Sequence, residues 1–91
     1  MAIGIYFSPQ SMSPEQYDDV ITRLEAAGQA APSGRLSHAA FEAENGLHVF
    51  DVWESQESFD TFGETLMPIL GQVGVDPGQP HVSSVHNFIS G

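Results

Sequence analysis

The chain contains no cysteine. Disulfides, thiolate metal sites and cysteine nucleophiles are thereby excluded together. Positive charge is nearly missing too: Arg23 and Arg35 are the only basic residues against twelve acidic ones, for a formal net charge of −10 at pH 7. Nucleic-acid binding depends on Lys and Arg neutralising phosphates, so no nucleic-acid partner is expected. Anionic membrane surfaces are disfavoured for the same reason. No apolar run approaches the roughly 18 residues of a spanning helix, so no membrane partner is expected either. The N-terminal segment lacks a basic n-region and an apolar h-region, which makes a cytoplasmic location the expectation. A Gly-x-Ser-x-Gly elbow and the Gly-rich phosphate loops are absent, which speaks against serine-hydrolase and nucleotide chemistry.

What is present suffices for one core. Of the 91 residues, 41% are hydrophobic, the content of an ordinary globular domain, and the length leaves room for a single domain over residues 1–91. Residues 2–8 alternate as a strand, with Ile3, Ile5 and Phe7 on one parity and Gly4 and Tyr6 on the other. Ser13 then announces a helix: it is a good N-cap, Pro14 suits the first helical position, and Gln16 completes a capping box. Tyr17, Val20, Ile21 and Leu24 form its apolar stripe, and Gly28 is its stop. The acidic remainder of this helix reads as a solvated face, with Asp19 and Arg23 spaced to pair.

Strands are expected over 35–42 and 47–54, joined by Asn45-Gly46 as a two-residue hairpin turn. That turn sets Phe41 opposite Phe50, Ala40 opposite Asp51 and His38 opposite Trp53. Ser55 caps a second helix with Phe59, Phe62, Leu66, Ile69 and Leu70 on its apolar stripe. Pro68 predicts a kink or break near Met67, a loop follows from Gly71, and a last strand runs from His81 to Ile89.

The order βαββαβ specifies an α+β fold: the ferredoxin-like plait, an antiparallel sheet with two helices on one face. The strands are apolar on both parities, with Phe41, Phe50 and Val52 on one side and Leu36, Val49 and Trp53 on the other. One face goes to the helices. The chain has no element left for the second, so a homodimer joined sheet to sheet is expected.

Candidate chemistry centres on His38 and Asp51, which the expected hairpin puts on one sheet face with Trp53. A carboxylate beside an imidazole orients its tautomer, as a general base requires, and Trp53 would offer a flat wall to an aromatic ligand. The plainer reading is that His38 and Asp51 simply satisfy each other beneath a half-buried sheet. Tyr17 on the first helix, Tyr6 on the first strand and His86 on the last are further candidates for the same pocket. Of His86 and Asn87, adjacent on a strand, only one can face it. Four His and many carboxylates could in principle hold a metal, yet no His-x-x-x-His spacing occurs and no metal site is expected.

The segment Val52-Trp53-Glu54-Ser55-Gln56-Glu57-Ser58-Phe59 resembles the strand-to-helix junction of the antibiotic-biosynthesis-monooxygenase-like proteins, a branch of the dimeric α/β-barrel superfamily. Tyr17-Asp18, the Asp51–Ser55 box and His86-Asn87 are similar to features of a group of small bacterial members with no assigned activity. The resemblance extends over the whole chain and implies a dimeric α/β barrel. Haem-degrading members of the superfamily share a Trp at the position of Trp53, but they also use an Asn on the first strand and a His on the second helix. This sequence has Tyr6 and Phe7 on the first strand and no His on the second helix, so haem ligation of that kind is not implied and no cofactor is expected. Cofactor-free oxygenases of the superfamily need only an apolar cavity and a few polar groups. Two readings follow. One is an enzyme acting on a small aromatic or hydrophobic molecule, a cofactor-independent monooxygenase or an isomerase-like enzyme, with His38 as base and Asp51 as orienter. The other is a non-enzymatic ligand-binding or stress-associated dimer.

Overall fold

Six elements follow in the expected order: β1 (Ile3–Phe7), α1 (Pro14–Ala26), β2 (Arg35–Ala43), β3 (Gly46–Trp53), α2 (Gln56–Val73) and β4 (His81–Ser84). The computed structural model describes all residues, Met1–Gly91. The strands form one antiparallel sheet in the order β2-β3-β1-β4. Both helices pack on one side of it, giving the ferredoxin-like α+β arrangement. No helix is long and apolar enough to cross a membrane.

The local signals at the helix starts act as their chemistry dictates. Ser13 Oγ accepts from the Gln16 N–H at 3.1 Å, and Gln16 Oε1 accepts from the Ser13 N–H at 2.9 Å, closing the capping box. Ser55 caps α2 through the Ser58 N–H. The core lies between the helices and one sheet face. Ile5 and Phe7 of β1 meet Leu47, Val49 and Trp53 of β3, Val20 and Leu24 of α1, and Phe59 and Phe62 of α2. Ile5 and Trp53 have no exposed surface.

Three expectations are corrected. The hairpin turn falls on Glu44-Asn45, with Ala43 paired to Gly46, so His38 stands opposite Asp51, Phe41 opposite His48 and Ala40 opposite Val49. Asn45 does not take the positive φ of the expected turn; Gly46 does, at 128°. Gly46 is held there by the loop after β1. A Cβ on it would come within 2.7 Å of the Met12 carbonyl oxygen, and that oxygen accepts from the Leu47 N–H at 2.8 Å. The shift moves each partner by two positions, so residues 37–43 keep their face. Leu36, expected on the side of Val49 and Trp53, is instead displaced by an irregularity between Arg35 and Ser37 and is exposed.

The second correction is that α2 neither breaks at Pro68 nor gives way to a loop at Gly71: it runs on to Val73 and ends on Gly74 in the left-handed conformation. Ile69 and Leu70 lie beyond the proline and are buried in the core, and their burial outweighs the missing N–H. Third, β4 stops at Ser84 rather than Ile89. Ser84 already stands opposite Ile3, and the bond from Val85 N–H to the Ala2 carbonyl is the last between the two strands. No further strand lies alongside residues 86–89.

Candidate functional site

Asp51 is the buried acidic residue of the core, 4% exposed. Placing a carboxylate there is costly unless both oxygens are occupied. Both are. Trp53 Nε1–H donates to Oδ2 at 3.2 Å, and His38 Nδ1 lies 2.6 Å from Oδ1. Strand geometry explains the arrangement: His38 is the direct cross-strand partner of Asp51, and Trp53 lies two residues further along β3 on the same face.

The chain of hydrogen bonds continues onto α1, where the Tyr17 hydroxyl lies 2.7 Å from His38 Nε2. The two rings are nearly parallel, 10° apart with centroids separated by 6.1 Å. One protonation pattern satisfies every atom. Indole nitrogen only donates, so Asp51 Oδ2 accepts. A carboxylate oxygen only accepts, so His38 Nδ1 carries the proton and donates it to Asp51 Oδ1. His38 Nε2 is then left as an acceptor, and Tyr17 donates to it. Burial pushes the Tyr17 phenol above its ordinary 10.0; nearby Arg35 opposes the rise, and Asp51 and Asp18 add to it. Tyr17 therefore rests as a protonated phenol.

Tyr17, His38 and Asp51 line a cavity between the sheet and the helices. Apart from Arg35 its other walls are apolar: Phe7 and Val49 from the sheet, Val20 and Leu24 from α1, Phe62 and Leu66 from α2. Met12 and Val75, from the loops after β1 and α2, contribute as well. The free volume is about 70 Å³, roughly half of the ~150 Å³ that admits benzene in an engineered apolar cavity. A ring-sized ligand therefore requires the side chains or the loops to yield.

The six residues singled out in the sequence do not all converge. His38, Asp51 and Tyr17 do. Trp53 is not a wall of the cavity, contrary to expectation. It is fully buried, with its ring against Phe59 and Phe62 at centroid distances of 5.6 and 5.2 Å, and it reaches the site only through Asp51. Tyr6 and His86 lie on the opposite side of the sheet, lining a separate groove with Phe50 and Val52. Tyr6 points there because its parity is opposite to that of Ile5 and Phe7; its hydroxyl lies 2.6 Å from His48 Nδ1 and its ring stacks on Phe41. His86 follows the end of β4 and is exposed. No three His, Asp or Glu side chains converge in a way that could hold a metal ion. Arg35 also lines the cavity. The sequence offered one signal for it, that it is one of two cations in an acidic chain.

No protein-family model matches the chain, and no curated protein matches it in sequence. Solved structures do. A Chloroflexus aurantiacus J-10-fl protein described as an antibiotic biosynthesis monooxygenase superposes with a TM-score of 0.69 at 16% identity, over 99% of this chain and 98% of that one. SnoaB of Streptomyces nogalater, a cofactor-independent oxygenase, gives 0.62 at 15% identity, over 97% and 94%. Rv0793 of Mycobacterium tuberculosis gives 0.58 at 21% identity, over 98% and 97%. The chain thus has the fold of the antibiotic-biosynthesis-monooxygenase-like proteins along its full length. At these identities the likeness is one of fold.

Proposed function

We propose that the protein binds a small aromatic or hydrophobic molecule in the cavity beside Tyr17 and His38 and oxidises it as a cofactor-independent monooxygenase. The observation that carries this reading is the chain Tyr17–His38–Asp51, a proton relay whose outer end lies on an apolar cavity. Because the Tyr17 hydroxyl occupies His38 Nε2, the group a ligand meets is the Tyr17 oxygen. An acidic ligand proton passes to that oxygen, the phenol proton passes to Nε2, and Asp51 stabilises the resulting imidazolium. The ligand anion then reacts with dioxygen. Where the proton lost comes from an acidic ring methylene, that carbon becomes a carbonyl. One oxygen atom enters the product, the other leaves as water, and dioxygen accepts the four electrons released. SnoaB, which shares the fold, is described as a cofactor-independent oxygenase.

Oxygen uptake with phenols that carry an acidic ring methylene, without added metal or cofactor, tests the reading. The expected outcome is turnover that disappears in His38→Ala while the fluorescence of Trp53 still responds to the ligand. A second reading has its own support. No buried side-chain nitrogen or oxygen lacks a hydrogen-bond partner, as expected of a network whose task is packing in a non-enzymatic dimer. Absence of both oxygen uptake and any Trp53 response across the screen would count against the enzymatic reading and favour that alternative.

The proposal includes a homodimer. On the side of the sheet away from the helices, Phe41 and Phe50 are each 42% exposed, with Tyr6 stacked on Phe41. An apolar sheet face of this kind needs a cover. A second copy presents the same surface and closes the contact by two-fold symmetry.

A further inference from the structure

Strand β2 carries one residue more than its partner between Arg35 and Ser37. A regular ladder would set Leu36 opposite Trp53, on the face that the helices cover. The bulge sets Arg35 opposite Trp53 instead and leaves Leu36 47% exposed. Within one chain this exchange runs against burial, since a leucine is left exposed while an arginine lines a largely apolar cavity. Bulges re-aim side chains in this way and concentrate beside functional sites.

The second observation is how Arg35 is partnered. The chain has twelve acidic residues, yet its ion pairs are Arg23 with Asp19 and His38 with Asp51. Arg35 forms none. Its side chain makes a single hydrogen bond, from Nη2 to the Ala30 carbonyl at 3.2 Å. That bond holds the fork in place and leaves Nε and Nη1 without a protein acceptor. The oxygens of Asp51, the acid nearest in the cavity, are already taken by His38 and Trp53.

We infer that Arg35 recognises an oxyanion of the ligand, so that the cavity takes a small apolar or aromatic molecule carrying one carboxylate or one ionised phenol or enol. This rests on the cavity being a binding site. For a phenol or enol the charge balances within the cavity: its proton moves through Tyr17 to His38, and the resulting imidazolium and Arg35 face Asp51 and the ligand anion. A carboxylate arrives already ionised, leaves His38 neutral and is balanced by Arg35 alone. A guanidinium suits this role because its donors form a planar fork that matches an oxyanion better than an ammonium does. The same positive charge already acts on Tyr17, pulling its phenol back against the rise caused by burial.

Trp53 supplies the readout. It is the only tryptophan, so its Nε1–H gives a single indole signal in a proton–nitrogen correlation spectrum, and that proton is bonded to Asp51. Three probes are titrated: cyclohexanecarboxylate, 4-nitrophenolate and the neutral isostere cyclohexylmethanol. The carboxylate or the phenolate should shift the signal saturably and bind about tenfold or more tightly than the alcohol. Arg35→Gln should remove that advantage and leave the alcohol unaffected. Arg35→Lys should keep part of it, since charge remains without the fork. Which anion binds identifies the source of the oxyanion. Equal binding of alcohol and anions, or anion binding unchanged in Arg35→Gln, overturns the role of Arg35 and leaves the cavity standing. No shift with any of the three overturns the binding site and this inference with it. If Arg35→Gln fails to fold, the comparison of acid with alcohol on the unaltered chain and on Arg35→Lys decides.

Discussion

Trp53 holds two roles in one side chain, and substitution separates them. Its ring is packed against Phe59 and Phe62 with no exposed surface, so Trp53→Ala should fall near the upper end of the ~3–5 kcal/mol typical of a buried tryptophan. Trp53→Phe keeps most of the ring and removes only the donor to Asp51 Oδ2. It should cost about 1–3 kcal/mol, the penalty of a buried acceptor left unpaired. His38→Ala exposes Asp51 Oδ1 to the same penalty, about 1–3 kcal/mol. Denaturant titration of the three variants gives all of these values. Equal losses in Trp53→Ala and Trp53→Phe would show that the hydrogen bond, and not the packing, is what matters. Tyr17 adds a pH dependence of known sign. Its folded pKa is raised, mainly by burial, so the native state keeps the proton where the unfolded chain has released it. Its contribution is complete below the unfolded value of 10.0 and is lost as pH rises from there through the folded pKa. The stability difference between the unaltered protein and Tyr17→Phe should shrink over that alkaline window and stay flat at neutral pH.

At the scale of elements, helix α2 sets propensity against packing. Pro68 is exposed inside the helix, where it forfeits a backbone bond and crowds the preceding turn. The burial of Ile69 and Leu70 keeps the helix going. Pro68→Ala should therefore raise stability, by up to about 3 kcal/mol, without moving the helix end. A melting temperature left unchanged would mean that the proline sits without strain. The hairpin makes the opposite case. Gly46 carries a φ of 128° with the backbone of Met12 against it, so Gly46→Ala should destabilise the protein and loosen the bond from Leu47 N–H to the Met12 carbonyl. Amide exchange at Leu47 measures that loosening directly. At both places the reading of the sequence went astray for one reason. Asn45-Gly46 and Pro68 are strong local signals, and each was overruled by a contact from a distant segment.

Across the whole molecule, the charge of −10 bears on the proposed dimer. Bringing two such chains together costs Coulomb energy that salt screens, while burial of Phe41 and Phe50 drives association. Sedimentation at micromolar concentration should give about twice the 9.8 kDa of one chain, with the dimer fraction rising as salt is added. Phe50→Glu should shift it to monomer, because a charge would then lie in an apolar interface. A monodisperse monomer at high salt would leave the open sheet face to some other cover.

The periodic stripes, the Ser13 and Ser55 caps and the element order were enough to specify the ferredoxin-like plait, because each depends on residues a few positions apart. The same spacing put His38 and Asp51 on one face, since strand parity survives a two-residue slip of the turn. Contacts across the fold decided the rest. Tyr17 was legible as a stripe residue, but only the packing of α1 on the sheet brings its hydroxyl to His38 Nε2. Trp53 became core and not cavity wall because α2 covers it. Arg35 turned inward through a single extra residue in β2, and no periodicity in the sequence marks a bulge. Local order follows from neighbours along the chain, whereas the site is made by residues that meet only after the sheet and helices have closed on one another.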